Sequence, residues 1–182
     1  MLDAIAALSR RLAKGETLAL GWSGIPDPVI ADLLLRAGCD AVLLDMQHGG
    51  WTYASANAGI TAAVAAGKPC LVRIPVGDFP LVSRLFDAGA AGVVAPMINS
   101  VADARAFAAF AKLPPQGERS WGPARALALT GLPADRYLAE ANRLHLAIAM
   151  IETRAALAAL DGILDTDGID GVLVGPSDLS IA

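Results

Sequence analysis

Six short apolar runs alternate along this chain with segments of helical character. Each run holds five or six residues and is rich in branched aliphatic side chains, which is typical of strands buried on both faces of a parallel sheet. The predicted strands are Thr17–Trp22, Ala41–Asp45, Cys70–Ile74, Gly92–Pro96, Ala147–Glu152 and Gly171–Gly175. This alternation predicts an α/β fold built on a mostly parallel sheet.

Helical segments occupy the stretches between these strands. They are predicted at Pro28–Ala37, Ala54–Ala66, Phe79–Ala88, Val101–Ala111, Pro133–Leu144 and Arg154–Leu160. A glycine that suits a left-handed C-cap follows three of them, at Gly38, Gly67 and Gly89. The longest break is Leu113–Thr130, whose length and three prolines predict a functional or disordered loop.

The composition limits the classes of protein to consider. The chain has 182 residues, 55% of them hydrophobic, and residues 1–182 are predicted to form one domain. No run reaches the ~18 apolar residues of a membrane span, and the N-terminal stretch has the pattern of an amphipathic helix, not of a signal peptide. The net charge of −4, with scattered basic residues, indicates no nucleic-acid partner. Cys39 and Cys70 are expected to be buried thiols, which favours a cytoplasmic location. Together with the missing apolar span, this predicts a cytoplasmic protein without a membrane partner.

The number of strands leaves two architectures open. A (β/α)8 barrel needs eight β-α units and typically ~250 residues, whereas six strands are found here. The sheet is therefore either an open doubly wound sheet or a barrel cut short after its sixth strand. An open sheet of that kind usually carries a glycine-rich nucleotide fingerprint, and none follows the first strand.

Two acidic residues follow the last two predicted strands. Glu152 ends the fifth, and Asp178 comes three residues after Gly175, which ends the sixth. Ligands of α/β folds bind at the carboxyl ends of the strands, so both carboxylates are expected at the binding edge. Oxygen ligands of this kind are preferred by Mg²⁺ and Mn²⁺, which predicts a divalent metal site.

The second and third strands carry further candidates to the same edge. Asp45 and His48 follow the second strand, and Arg73 lies near the end of the third. Each also has a purely structural interpretation: Asp45 as a loop cap, His48 as a loop histidine and Arg73 as a buried ion-pair partner. Glu152 and Asp178 could likewise cap the helices that follow them, so the argument depends on the joint pattern.

Together these groups suit carbon–carbon bond chemistry next to an enolate. A bound 2-oxo acid could chelate the metal, which would polarise its keto oxygen. Arg73 could stabilise the enolate charge, and His48 could transfer a proton with Asp45 or Asp87 orienting its ring. Backbone N–H groups around Gly175–Ser177 could hold the substrate carboxylate.

At these residues the chain resembles the HpcH/HpaI aldolase family, the metal-dependent class II pyruvate aldolases. The resemblance runs over nearly the whole chain. Its segments, in order, are LLLRAGCDAVLLDMQHG, LVRIP, LFDAGAAGVVAPM, GERSWGPARA, AMIET and GIDGVLVGPSDLS. It implies a (β/α)8 TIM barrel of the phosphoenolpyruvate/pyruvate type. The implied reaction cleaves or forms 4-hydroxy-2-oxo acids, giving pyruvate and an aldehyde, in a homo-oligomer, either a trimer or a hexamer.

The resemblance also implies roles for individual residues. Glu152 and Asp178 correspond to ligands of Mg²⁺ or Mn²⁺, with Co²⁺ a further possibility. His48 corresponds to the catalytic base, Arg73 to the enolate stabiliser and Asp87 to the acid that raises the basicity of the histidine. The implied substrate contacts are Arg73, Gly175, Pro176, Ser177, Met150 and Trp22. The GERSWGPARA segment corresponds to a loop near the mouth of the active site.

Three departures from the family pattern bear on the activity. Gln47 stands where many members have Glu, and Met150 where several have a substrate-binding Gln. The last two β-α units of the barrel are missing, so the chain is expected to be part of a longer protein. A CoA-ester lyase of the citramalyl or malyl type and a non-catalytic assembly module remain alternatives. A Schiff-base aldolase is disfavoured because no lysine ends a predicted strand.

Overall fold

The computed structural model describes residues 2–182, and their side chains from residue 4 onward. Six parallel strands form one sheet in the order β1-β2-β3-β4-β5-β6. The strands are β1 Leu20–Ser23, β2 Ala41–Asp45, β3 Cys70–Arg73, β4 Gly92–Ala95, β5 Leu146–Ile151 and β6 Gly171–Val174. All six predicted strands are therefore present, with β1 beginning three residues later than predicted.

The strand order separates the two architectures that the sequence leaves open. A doubly wound sheet reverses its strand order at a switch point, whereas here every strand pairs with its neighbour in the sequence. The sheet curls as part of a barrel with its helices outside, which confirms the predicted fold of a (β/α)8 barrel interrupted after the sixth strand. Among the described residues β1 and β6 do not pair with each other.

Ten helices connect and cover the strands of the described chain. They are α1 Leu2–Ala13, α2 Pro28–Arg36, α3 Tyr53–Ala65, α4 Pro80–Ala88, α5 Val101–Ala111, α6 Ala124–Thr130, α7 Ala134–Leu144, α8 Arg154–Ala158, α9 Leu160–Leu164 and α10 Pro176–Ile181. The three predicted glycine caps at Gly38, Gly67 and Gly89 all have positive φ, as expected. None of the helices described is both long and apolar enough to cross a membrane.

Two helix predictions need correction. The segment predicted as one long loop, Leu113–Thr130, contains α6 in its last seven residues. The segment predicted as one helix, Arg154–Leu160, is instead two short helices that meet at Ala159. Neither change moves a strand end, so the positions of the candidate site residues are unaffected.

Burial differs between the middle and the two sides of the sheet. The central strands β2, β3 and β4 are buried at every residue, because helices cover one face and the curled sheet encloses the other. The outer strands are partly exposed: Trp22 of β1 is 43% exposed and Val174 of β6 is 55% exposed. Unpaired strand edges of this kind favour association with further chain or with another copy.

The amino edge, where the strands begin, is tied together by a buried polar network. The Lys112 ammonium donates to the backbone oxygens of Asn142 and His145 and to Asp170 Oδ2, at 2.7, 2.9 and 2.6 Å. The His145 ring donates from Nδ1 to the Ala90 oxygen and accepts at Nε2 from the Tyr137 hydroxyl, each at 2.7 Å. These bonds join the starts of β4, β5 and β6.

Candidate active site at the carboxyl edge of the sheet

An ion pair between β2 and β3 forms the centre of the carboxyl edge, where the strands end. Asp45 and Arg73 are direct partners in the register of these parallel strands. Arg73 donates from Nε to Asp45 Oδ1 at 2.9 Å and from Nη2 to Oδ2 at 2.5 Å. Trp22 of β1 adds a third donor at 3.3 Å, and its ring lies 4.8 Å from the Arg73 guanidinium carbon. The pair is therefore held in one orientation from both sides.

The Asp45 carboxylate also organises the loop that follows β2. The backbone N–H groups of Gln47 and His48 donate to Oδ1 at 3.0 and 3.2 Å. Burial alone would raise the pKa of Asp45, but the hydrogen bonds from Arg73 and these backbone groups outweigh it and hold the pKa at about 2. Asp45 thus stays ionised and fixes the backbone at His48. The structure shows no bond from Asp45 to the imidazole ring, which the sequence had left open.

His48 is the exposed histidine of this chain. The residue is exposed, and its ring has no hydrogen-bond partner among the residues described. It follows Asp45 by three residues and shares the carboxyl edge with the Asp45–Arg73 pair. The ring is therefore free to contact a ligand bound above the pair.

Glu152 lies at the end of β5 and is almost fully buried, at 2% exposure. Its Oε1 accepts a 2.7 Å hydrogen bond from the backbone N–H of Met97, just beyond β4. Its second oxygen, Oε2, accepts no hydrogen bond from the described part of the chain. One carboxylate oxygen is thus engaged by the backbone and the other remains available.

The exit of β6 packs directly against this carboxylate. A Cβ built at Gly175 would lie 2.7 Å from Glu152 Oε2 and 3.2 Å from the Met150 methyl carbon. Gly175 is followed by α10, whose first turn carries the exposed Asp178. Pro176 and Ser177 are exposed in the same turn, and Met150 is buried beside Gly175. Glu152 therefore faces the segment that bears the second predicted metal ligand.

These residues fit a divalent cation in a limited way. Within residues 4–182 no three His, Cys, Asp or Glu side chains are grouped as a metal site, so the protein ligands on offer are the two carboxylates. Mg²⁺ is commonly bound by one or two carboxylates plus waters and substrate oxygens. The uncommitted Glu152 Oε2 is an acceptor that such an ion would satisfy.

Asp87 is not part of this arrangement. It lies near the end of α4, and its Oδ1 accepts a 2.6 Å hydrogen bond from Arg119. Arg119 stacks over Phe86, which in turn contacts His145 at the amino edge. Within this chain Asp87 and His48 therefore lie at opposite edges of the sheet, and a role for Asp87 beside the histidine stays a prediction.

The GERSWGPARA segment shares the position of Asp87. Its Arg119 pairs with Asp87, its Gly122 lies beside the same carboxylate and its Trp121 packs edge-on against Tyr137. All of these contacts are at the amino edge. Within this chain the segment therefore lies away from the carboxyl-edge site, and a place near the mouth of an active site stays a prediction.

One residue of the site escaped sequence reasoning. Met97 has a φ of 57°, a left-handed conformation that is uncommon outside glycine. Met97 contributes only its backbone N–H to the site, so the type of its side chain does not reveal this role in the sequence. The only available clue was the preceding Pro96, which ends the predicted strand and lacks an N–H of its own.

The sequence matches a known protein family over most of its length. The HpcH/HpaI aldolase/citrate lyase family matches residues 19–182. A hydroxypyruvate/pyruvate aldolase of Rhizorhabdus wittichii is 40% identical over 168 residues, covering 92% of this chain and 66% of the relative. The chain thus spans about two thirds of that protein's length.

Solved structures give the same result. The crystal structure of an HpcH/HpaI aldolase from Desulfitobacterium hafniense superposes with a TM-score of 0.88 at 32% identity, covering 96% of this chain and 68% of the other. The citrate synthase SbnG superposes with a TM-score of 0.86 at 26% identity, covering 100% of this chain and 68% of the other.

Proposed function

We propose that this chain, which belongs to the HpcH/HpaI aldolase/citrate lyase family, carries the enolate-forming site of a metal-dependent aldolase. The reaction is cleavage or formation of a 4-hydroxy-2-oxo acid, with pyruvate or a substituted pyruvate and an aldehyde as the other partners. The observation that carries this proposal is the oriented Arg73–Asp45 pair on the same sheet edge as a Glu152 oxygen without a hydrogen bond.

Arg73 is the group that would hold the enolate oxygen. Its Nε and Nη2 are committed to Asp45, while Nη1 has no acceptor among the described residues. The bidentate pair fixes the guanidinium plane in advance, so little reorganisation is needed when negative charge develops on a bound substrate. Trp22 limits movement of the guanidinium on its other face.

His48 is the group that would transfer the proton. In cleavage, the C4 hydroxyl loses its proton to the imidazole, the C3–C4 bond breaks, and the electron pair remains on the enolate as the aldehyde leaves. The same imidazolium then returns the proton to C3 of the enolate. An imidazole can both accept and donate a proton, which suits His48 to both steps.

Glu152 and Asp178 are the residues that would hold the metal. A bound Mg²⁺ or Mn²⁺, or Co²⁺, would supply Lewis-acid polarisation of the keto carbonyl. Met150, Ser177 and the backbone from Gly175 to Pro176 lie beside Glu152 or in the first turn of α10, where the substrate carboxylate would contact them. The buried apolar Met150 disfavours a polar substituent at its own position.

The test measures metal dependence with the full protein that carries this chain. Release of pyruvate from a 4-hydroxy-2-oxo acid should be abolished by EDTA and restored by Mn²⁺. Glu152→Gln keeps the volume and the Met97 hydrogen bond but removes the charge, so kcat/KM should fall by about 10²-fold or more. Full activity in EDTA, or in this variant, would rule the proposal out.

A second candidate is condensation or cleavage at an ester-type carbonyl. It is favoured by the name of the matched family, which includes citrate lyases, and by the superposition on a citrate synthase. A CoA-ester lyase would use the same enolate site with a thioester substrate. Faster turnover of a CoA thioester than of a free 4-hydroxy-2-oxo acid would favour this candidate.

We also propose that the protein acts as a homo-oligomer, either a trimer or a hexamer. Apolar side chains remain exposed on α2 and on β6, where Val29, Leu33 and Val174 are 61%, 53% and 55% exposed. Surfaces of this kind are normally covered by further chain or by another copy. Light scattering of the full protein tests this, and a monomer at micromolar concentration would contradict it.

A further inference from the structure

The Glu152 carboxylate is held from the β4 side by a strained backbone turn. Pro96 follows β4 and has no N–H, so the N–H of Met97 is the first one beyond this strand that can reach a neighbour. It donates to Glu152 Oε1 at 2.7 Å. Met97 reaches this position only by adopting a φ of 57°, which disfavours most side chains. Strain maintained at a residue that serves a buried acid is typical of functional sites.

The same carboxylate is confined from the β6 side by a residue without a side chain. The φ of Gly175 is −90°, which any residue can adopt, so its backbone conformation does not require glycine. The space does: an added Cβ would come within 2.7 Å of Oε2 and 2.8 Å of the Glu152 Cβ. The bare Gly175 therefore leaves room for the carboxylate beside the segment that carries Asp178.

We infer that Met97 and Gly175 are positioning residues that together aim Glu152 at a divalent cation. Met97 occupies Oε1 and fixes the rotation of the carboxylate, while Gly175 leaves Oε2 unblocked toward the first turn of α10. Neither residue contributes a side-chain ligand. The inference rests on the proposed function, and it assigns the orientation of the metal ligand to the exits of β4 and β6.

The first experiment uses two isomeric side chains at position 97. Met97→Leu keeps an unbranched Cβ, whereas Met97→Ile places a branched Cβ in the left-handed conformation and should displace the N–H from Oε1. In a Mn²⁺ titration followed by EPR, with Mn²⁺ alone as the probe, Met97→Ile should weaken binding about tenfold. Met97→Leu should leave the Kd unchanged, and Met97→Gly should bind at least as tightly because glycine adopts this φ freely.

The second experiment uses two glycines at either end of β6. Gly175→Ala introduces the contact with Oε2 and should raise the Mn²⁺ Kd by about tenfold or more. Gly171→Ala is the matched control, because a Cβ at that position meets nothing within 4 Å. The thermal unfolding midpoint of each metal-free variant is measured in parallel, so that a loss of folding is recognised as such.

The outcomes separate the two proposals. Weaker Mn²⁺ binding in Met97→Ile and Gly175→Ala, with both controls unchanged, supports the inference. Equal Mn²⁺ binding in all variants overturns it and leaves the aldolase proposal standing, even if Met97→Ile lowers the unfolding midpoint. Absence of Mn²⁺ binding in the unsubstituted protein overturns both.

Discussion

The two edges of the sheet differ in how far their histidine and basic side chains are hydrogen-bonded within the chain. His145 at the amino edge is fully buried with both ring nitrogens hydrogen-bonded, whereas His48 at the carboxyl edge is exposed and its ring has no partner among the described residues. Lys112 uses its ammonium on three oxygens of its own chain. Arg73 has no hydrogen-bond acceptor for its Nη1 among the residues described. Saturated polar groups stabilise a fold, and unsaturated ones are available to a ligand.

The difference follows from what each edge has to do. At the amino edge Lys112 and His145 satisfy backbone oxygens where strands begin, because a buried unpaired group is costly. At the carboxyl edge Asp45 accepts hydrogen bonds from part of the Arg73 guanidinium, and the Met97 N–H donates to one oxygen of Glu152. These bonds fix the orientation of Arg73 and Glu152. We therefore expect substitutions at the carboxyl edge to change activity, and substitutions at the amino edge to change stability.

The largest effect is expected at His48. His48→Gln should lower kcat/KM by about 10³-fold, equivalent to about 4 kcal/mol of barrier, because the proton acceptor is lost. The free energy of unfolding should change by less than about 0.5 kcal/mol, since the ring is exposed. Steady-state kinetics and urea unfolding measure the two quantities. A large loss of stability in His48→Gln would contradict the expectation that the carboxyl edge serves activity and the amino edge serves stability.

The next effect is expected at Lys112. Lys112→Met should lower the free energy of unfolding by about 3 kcal/mol, because Asp170 and two backbone oxygens lose a buried cationic partner. Lys14→Met, at an exposed position, is the control and should be neutral. The kcat of the folded fraction should be unchanged in both variants. A fall in kcat with unaltered unfolding would contradict a structural role for this network.

The smallest effect near neutral pH is a dependence of stability on pH. Burial lowers the pKa of His145 to about 3, and the nearby Arg119 and Lys112 charges add to this effect. The folded protein keeps the ring neutral while the unfolded chain protonates it below about pH 6.5, so stability should fall as the pH drops from 6.5 toward 3.

Urea unfolding at several pH values checks this expectation. The contribution of His145 is at most about 1.4 kcal/mol for each pH unit. His145→Gln should reduce the slope of unfolding free energy against pH. Equal slopes in the unsubstituted protein and in His145→Gln would show that His145 titrates alike in both states.

Much of the carboxyl edge could be predicted from local pattern. Branched aliphatic runs ending in Asp45, Arg73 and Glu152 predict buried parallel strands, and parallel strands bring their ends to one edge. That rule is sufficient because it depends only on strand direction. It places Asp45 beside Arg73, where the structure has them in register.

The position of Asp87 at the amino edge has a simple geometric cause. A helix of a β-α unit runs back from the carboxyl edge to the amino edge, so residues near its end return to the starts of the strands. Asp87 is the penultimate residue of α4 and Gly89 caps that helix. Within this chain Asp87 pairs with Arg119, so the role beside the histidine that the resemblance implies stays a prediction.

The sequence by itself determined the number, type and direction of the strands. The spacing of apolar residues and the residues that begin and end each helix are local properties of the chain. It also determined which acids and bases follow strand ends. Only the tertiary structure decided which of those groups are already satisfied. Whether Glu152 keeps a free oxygen depends on the Met97 N–H and on the bare Gly175, which lie 55 residues before it and 23 residues after it. Such long-range pairings are made by strand packing, so no local pattern encodes them.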